Sequence, residues 1–115
     1  MQIAKRFPGA EINVGYPERP VDLLINATSL GLRSDDPLPF DQDRFALSKT
    51  GAVYDLIYRP AETRLLKEAK AAGCKAANGL GMLLYQGAKA LEIWTGRTAP
   101  IQIMRRALEQ NVYGR

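Results

Sequence analysis

The chain has 115 residues, 46% of them hydrophobic and 24% charged, with a net charge of +4. That size suits one domain with a modest core, and no apolar run approaches the ~20 residues of a membrane span. The basic residues (Lys5, Arg6, Lys67, Lys70, Arg105, Arg106) are scattered, so the charge reads as solvated surface, and no nucleic-acid or membrane partner is expected. The absence of histidine and the single Cys74 argue against a zinc site and an internal disulfide. They fit a reducing, cytoplasmic setting, as does an N-terminus without an apolar signal core. Asn26-Ala27-Thr28 spells a glycosylation acceptor, which a cytoplasmic protein does not meet in use.

In chain order, Ala10 to Gly15 is a short strand candidate. Val21 to Thr28, VDLLINAT, is almost continuously apolar, the pattern of a parallel strand covered on both faces. Ser29 to Thr50 is rich in Pro, Asp and Ser and reads as a loop with a helical turn near Asp41 to Phe45. Gly51 to Tyr58, GAVYDLIY, is a second buried strand. Pro60 to Ala72 is a helix with Pro60 in its first turn and a buried stripe of Leu65, Leu66, Ala69 and Ala72, stopped by Gly73. Thr63 is structural, a cap or a packing residue. Cys74 to Asn78 is a short strand. A helix follows Gly81, and a last one runs from about Thr98 to Val112 with Ile101, Met104, Leu108 and Val112 as its apolar face. Strands alternating with helices predict a parallel α/β sheet.

The stretch NGLGMLLYQGAKALEIWTG (Asn78 to Gly96) opens like a phosphate-binding turn but has Leu84 where a dinucleotide fingerprint has its third glycine. At 100° per residue, Leu80, Leu83, Leu84, Gly87, Leu91 and Trp94 share one side and make the expected core stripe. Met82, Gln86, Lys89 and Ile93 fall on another. That face is either a partly buried surface or the place where a ligand or another domain sits. Met82 and Gln86 lie one turn apart, so one ligand could touch both.

Three segments in register carry a family resemblance. DLLINATSLG (Asp22 to Gly31), DLIYRPAETRLL (Asp55 to Leu66) and NGLGMLLYQGA (Asn78 to Ala88), the last running on to WTG (Trp94 to Gly96), are similar to shikimate dehydrogenase in order and spacing. The resemblance covers most of Val21 to Gly96. Met1 to Gly15 resembles the end of the second helix and the third strand of the family's nucleotide-binding domain. Residues 1–115 are therefore read as the C-terminal part of an NADP-binding Rossmann domain, with the closing helix at about 98–112. The family's catalytic domain and its first two Rossmann strands, with the glycine-rich turn and the adenosine-phosphate site, have no counterpart in these residues.

The resemblance implies roles at matching positions. Asn26, Ala27 and Thr28 lie against the nicotinamide-ribose of the cofactor, Leu56 offers backbone to its nicotinamide half, Gly79 offers backbone to the carboxamide, and Met82 packs on the ring. Tyr58 and Gln86 contact the substrate, shikimate or 3-dehydroshikimate. The cofactor implied is NADP, with NAD possible. The family's acid–base lysine is not matched by Lys89, nor its aspartate by Asp55, so negligible activity is expected of this chain alone. An exposed VDLLINAT edge then predicts a homodimer or swapped assembly. The competing readings are an NAD-dependent quinate/shikimate dehydrogenase and a non-catalytic oligomerisation or complementation module.

Overall fold

The computed structural model describes residues 2–114. Three strands, β1 (Val21–Asn26), β2 (Thr50–Asp55) and β3 (Lys75–Ala77), form a parallel sheet in the order β1-β2-β3. The helices are α1 (Gln2–Arg6), α2 (Arg64–Ala71), α3 (Leu80–Thr95) and α4 (Ile101–Tyr113). The α/β class and the parallel sheet are as the alternation predicts.

Strand register sorts the side chains by face, because neighbours along a strand point to opposite sides. Leu24, Val53 and Ala76 lie in register. They meet Leu65, Leu66 and Ala69 of α2, with Leu47 and Cys74 completing the cluster. Each fully buried leucine of this cluster contributes roughly 2–3 kcal/mol. The Cys74 thiol is buried and donates to the carbonyls of Leu47 and Thr50, both at 3.2 Å.

On the opposite face β1 is open, while Ala52 and Tyr54 of β2 are half-buried. Leu23 and Ile25 are 53% and 54% exposed. VDLLINAT is thus covered on one face only among the described residues, and the expectation of two covered faces is corrected. Among the described residues β1 also has one free edge, because β2 is its single partner in the sheet.

Other expectations change as well. Ala10 to Gly15 forms no strand, since no described strand lies where it could complete a ladder. α2 begins at Arg64, not at Pro60. The reason is Thr63, whose backbone is extended and whose hydroxyl accepts the amide of Leu66 at 3.3 Å, fixing the first turn. Ala72 is the exposed C-cap and not part of the buried stripe. The chain does turn at Asp41, whose carbonyl accepts from Arg44 and Phe45, and a 3-10 turn follows at Leu47–Lys49.

The α3 stripe is Leu80, Leu84 and Ala88, one residue per turn. Gly87 and Leu83 instead face α4, where they share a groove with Met104 and Leu108. Trp94, expected in the core, is 80% exposed, beyond Ala88, the last buried residue of α3. Ile101, Met104, Leu108 and Val112 are all half-buried, as the α4 pattern predicts.

Thr63 is 1% exposed and is held from two sides, so Thr63→Ala is expected to lower stability by about 1–2 kcal/mol, with Thr63→Ser close to wild type. Urea unfolding of the three proteins checks this; equal midpoints for the alanine and wild-type chains would dismiss the cap.

Candidate functional site

All three strands are parallel, so their carboxyl ends share one edge, the edge where open α/β sheets bind ligands. The segment after β1 is Ala27-Thr28, that after β2 is Leu56 to Tyr58, and that after β3 is Asn78-Gly79. The first two wall a cleft of about 430 Å³, lined by Ala27, Thr28, Leu32, Leu56, Tyr58 and Arg59 among others. A larger hollow of about 550 Å³ sits along Glu11 to Val21, away from the strand ends, and contains none of the expected site residues.

Hydrogen bonds fix this edge. Asn26 is 2% exposed. Its amide nitrogen donates to the Leu30 carbonyl at 3.0 Å and to Asp55 Oδ1 at 3.1 Å, and its amide oxygen accepts the Thr28 amide at 3.0 Å and the Thr28 hydroxyl at 2.6 Å. The Thr28 hydroxyl accepts in turn from the Leu30 amide at 3.1 Å. Both side chains are therefore spent on shaping the turn, and the turn's backbone and Ala27 are what it offers outward.

Asp55, wholly buried, joins the segments. Its Oδ1 accepts from Asn26 and from the Ile57 amide, both at 3.1 Å, and its Oδ2 accepts the Thr63 hydroxyl at 2.7 Å. One carboxylate thus ties the turn after β1, the segment after β2 and the cap of α2. Sequence reasoning saw no role for Asp55; the signal was an acidic residue ending an apolar strand, which demands buried donors.

Gly79 lies against β2. A Cβ built on it would sit 1.9 Å from the Leu56 carbonyl oxygen, and its own amide donates to Ile57 at 3.2 Å. Gly81 differs, for a Cβ there would meet nothing within 4 Å. The side-chain oxygen of Asn78 accepts the Leu80 amide at 3.0 Å and starts α3. Met82, 44% exposed, and Gln86, also exposed, project from the open face of α3 with Lys89 and Ile93. Neither lines the cleft between Ala27 and Tyr58.

The loop behind Leu32 is held by Asp36. Its Oδ2 accepts the amides of Gly31 and Arg33, each at 3.0 Å. The Gly31 bond first, then the Arg33 bond, holds its carboxyl below the usual aspartate value. The folded value lies below the unfolded one, so the loop's support is complete above about pH 4, the unfolded value, and is lost as pH falls through the lower folded value. Amide exchange at Gly31 and Arg33 is expected to speed up in that acid window. Unchanged protection there would show that the carboxylate does not hold the loop.

Among the described residues no cluster of candidate ligands could hold a metal, and no helix is long and apolar enough to cross a membrane.

A parallel sheet in sequential order, flanked by helices, is a Rossmann-like α/β arrangement. The family model described as Shikimate 5'-dehydrogenase C-terminal domain matches residues 79–109. A shikimate dehydrogenase (NADP(+)) of Methanococcus aeolicus is 48% identical over 99 residues, covering 84% of this chain and 35% of that protein. The crystal structure of shikimate dehydrogenase from Aquifex aeolicus superposes with a TM-score of 0.71 at 35% identity, covering 93% of this chain and 39% of that one. The Thermus thermophilus enzyme in complex with NADP(H) and shikimate gives 0.66 at 43% identity, covering 76% and 33%. The chain belongs to the shikimate dehydrogenase family and corresponds to its C-terminal portion. It spans about a third of the length of the curated relatives it matches.

Proposed function

We propose that this chain forms the nicotinamide side and part of the substrate side of an NADP-dependent shikimate dehydrogenase, which interconverts 3-dehydroshikimate and shikimate. The observation that carries the reading is the meeting of three family segments at one sheet edge, where Ala27, Thr28, Leu56 and Tyr58 share a cleft. The residues suit a flat ring. Ala27 and Leu56 are apolar, and Gly81 leaves open space at the entrance to α3. Bound NADP supplies the hydride chemistry.

The chain's own contribution is to hold and orient. The Asn26–Thr28 turn supports the ribose side through its backbone. Leu56 and Gly79 present backbone toward the carboxamide. The Met82 thioether packs on the ring from the open face of α3. The Tyr58 hydroxyl and the Gln86 amide, which both donates and accepts, hold hydroxyls of the substrate. By resemblance, the proton at the reacting hydroxyl is handled by the family's lysine–aspartate pair, which no residue here matches, so this chain alone is expected to turn over negligibly.

The test is an assay with NADP and with NAD, on the chain alone and mixed with a separately made N-terminal portion of a relative. Activity in the mixture that falls with Gln86→Ala supports the reading. No activity in the mixture, with both parts folded by circular dichroism, would favour an interaction module.

The same reading puts the protein in the cytoplasm. The free edge of β1, with Leu23 and Ile25 exposed, supports a homodimer or swapped assembly that covers it. Analytical ultracentrifugation is expected to show a dimer that Ile25→Lys dissociates. A monomer at high concentration would refute the assembly.

A further inference from the structure

The last turn of α4 is bound to the segment that carries Tyr58. The Tyr113 hydroxyl donates to the backbone carbonyl of Tyr58. The same hydroxyl accepts from the Asn78 amide at 3.1 Å, and that amide also donates to the Ala61 carbonyl at 2.8 Å. Arg59 returns the contact, its guanidinium donating to the Val112 carbonyl at 3.0 Å and the Asn111 carbonyl at 3.4 Å. A cation at these last-turn carbonyls also meets the negative end of the helix.

Residues 58–61 carry no strand or helix hydrogen bonds of their own. Their carbonyls at Tyr58 and Ala61 instead rely on Tyr113 and Asn78. Asn78 meanwhile caps α3, the helix that bears Met82 and Gln86. One small network therefore fixes the β2 end, the start of α3 and the end of α4 against one another. The cofactor side of the cleft is held by a different group, the Asp55 carboxylate with Asn26. Asp55 also accepts from the Ile57 amide, so the supports particular to the carbonyls of Tyr58 and Ala61 are Tyr113 and Asn78.

We infer that Tyr113 is a positioning residue for the substrate side of the cleft, holding Tyr58 in place through its backbone. The substrate part of this inference rests on the proposed function; the positioning part does not.

Tyr113→Phe removes the hydroxyl and keeps the ring. Two readouts on the full chain test it. In the absence of ligand, nitrogen-15 relaxation is expected to show residues 58–61 gaining fast motion while Asn26 to Thr28 stay rigid. In titrations followed by amide shifts, shikimate affinity is expected to fall about fivefold, the size of one net hydrogen bond, with NADP affinity unchanged. Asn78→Ala is expected to loosen the same residues and α3 as well. The inference is overturned if 58–61 remain as ordered in Tyr113→Phe as in wild type, or if both ligands weaken equally, which would be general loosening. If the wild-type chain takes up neither ligand, the functional reading fails for this chain, and the relaxation result alone decides the role of Tyr113.

Discussion

Gly79→Ala is expected to destabilise the chain by about 3 kcal/mol or more, while Gly81→Ala leaves it folded and slightly more stable. The two glycines are two residues apart and look alike in sequence, yet their surroundings differ. At Gly79 a methyl would lie 1.9 Å from the Leu56 carbonyl oxygen, and backbone on both sides cannot yield cheaply. β2 would have to separate from the start of α3, losing the Gly79–Ile57 hydrogen bond. At Gly81 a methyl enters open space in the first turn of a helix, where alanine is favoured over glycine by up to about 1 kcal/mol. A helix former has thus been forgone at Gly81 with no internal reason. The proposed cofactor supplies one, and Gly81→Ala is expected to weaken NADP binding while raising the melting temperature. Thermal melts of both variants decide the first contrast. Equal stabilities would show that the sheet edge gives way around residue 79.

Asp55→Ala is expected to cost about 3 kcal/mol, a large share of the 5–15 kcal/mol typical of a native domain. It leaves the Ile57 amide and the Thr63 hydroxyl without their acceptor and deprives Asn26 of one of its two. Buried donors orphaned in this way cost roughly 1–3 kcal/mol each, offset where water enters. Asp55→Asn keeps an acceptor for Asn26 and Ile57 and disturbs mainly Thr63, so about half the loss is expected. The pair Asp55→Ala and Thr63→Ala should be clearly non-additive in a double-mutant cycle, since each removes the same bond. Strict additivity would mean that the 2.7 Å contact contributes nothing.

The elements that sequence reasoning placed well are those whose burial is local. VDLLINAT and GAVYDLIY do form strands, though these end at Asn26 and Asp55, short of Thr28 and Tyr58, and the α3 and α4 patterns carry apolar residues at helical spacing. The failures are all relational. Ala10 to Gly15 has a strand's composition but no neighbour in the sheet, and a strand is a pairing before it is a sequence. Pro60 looks like a helix start, but Asp55 draws Thr63 into the cap and moves the start to Arg64. Trp94 continues the α3 stripe by angle, but nothing in the described chain lies under it. The proposed site rests on motifs in register. Its supports were not legible in the sequence, because Asp55, Asn78 and Tyr113 act across separations of 8 to 55 residues along the chain, which no periodicity reveals.

The one cysteine gives this fold a built-in timer. Cys74 sits beneath α2 at the base of β3, 9% exposed, its thiol donating to two carbonyls. A thiol packed in this way is expected to react with a disulfide reagent mainly when α2 lifts from the sheet. The rate at which the single sulfur is labelled in native buffer therefore reports how often the core opens, chain by chain and variant by variant, with no denaturant. Gly79→Ala and Asp55→Ala should both speed that labelling, and Tyr113→Phe, whose effect lies at the far rim, should not.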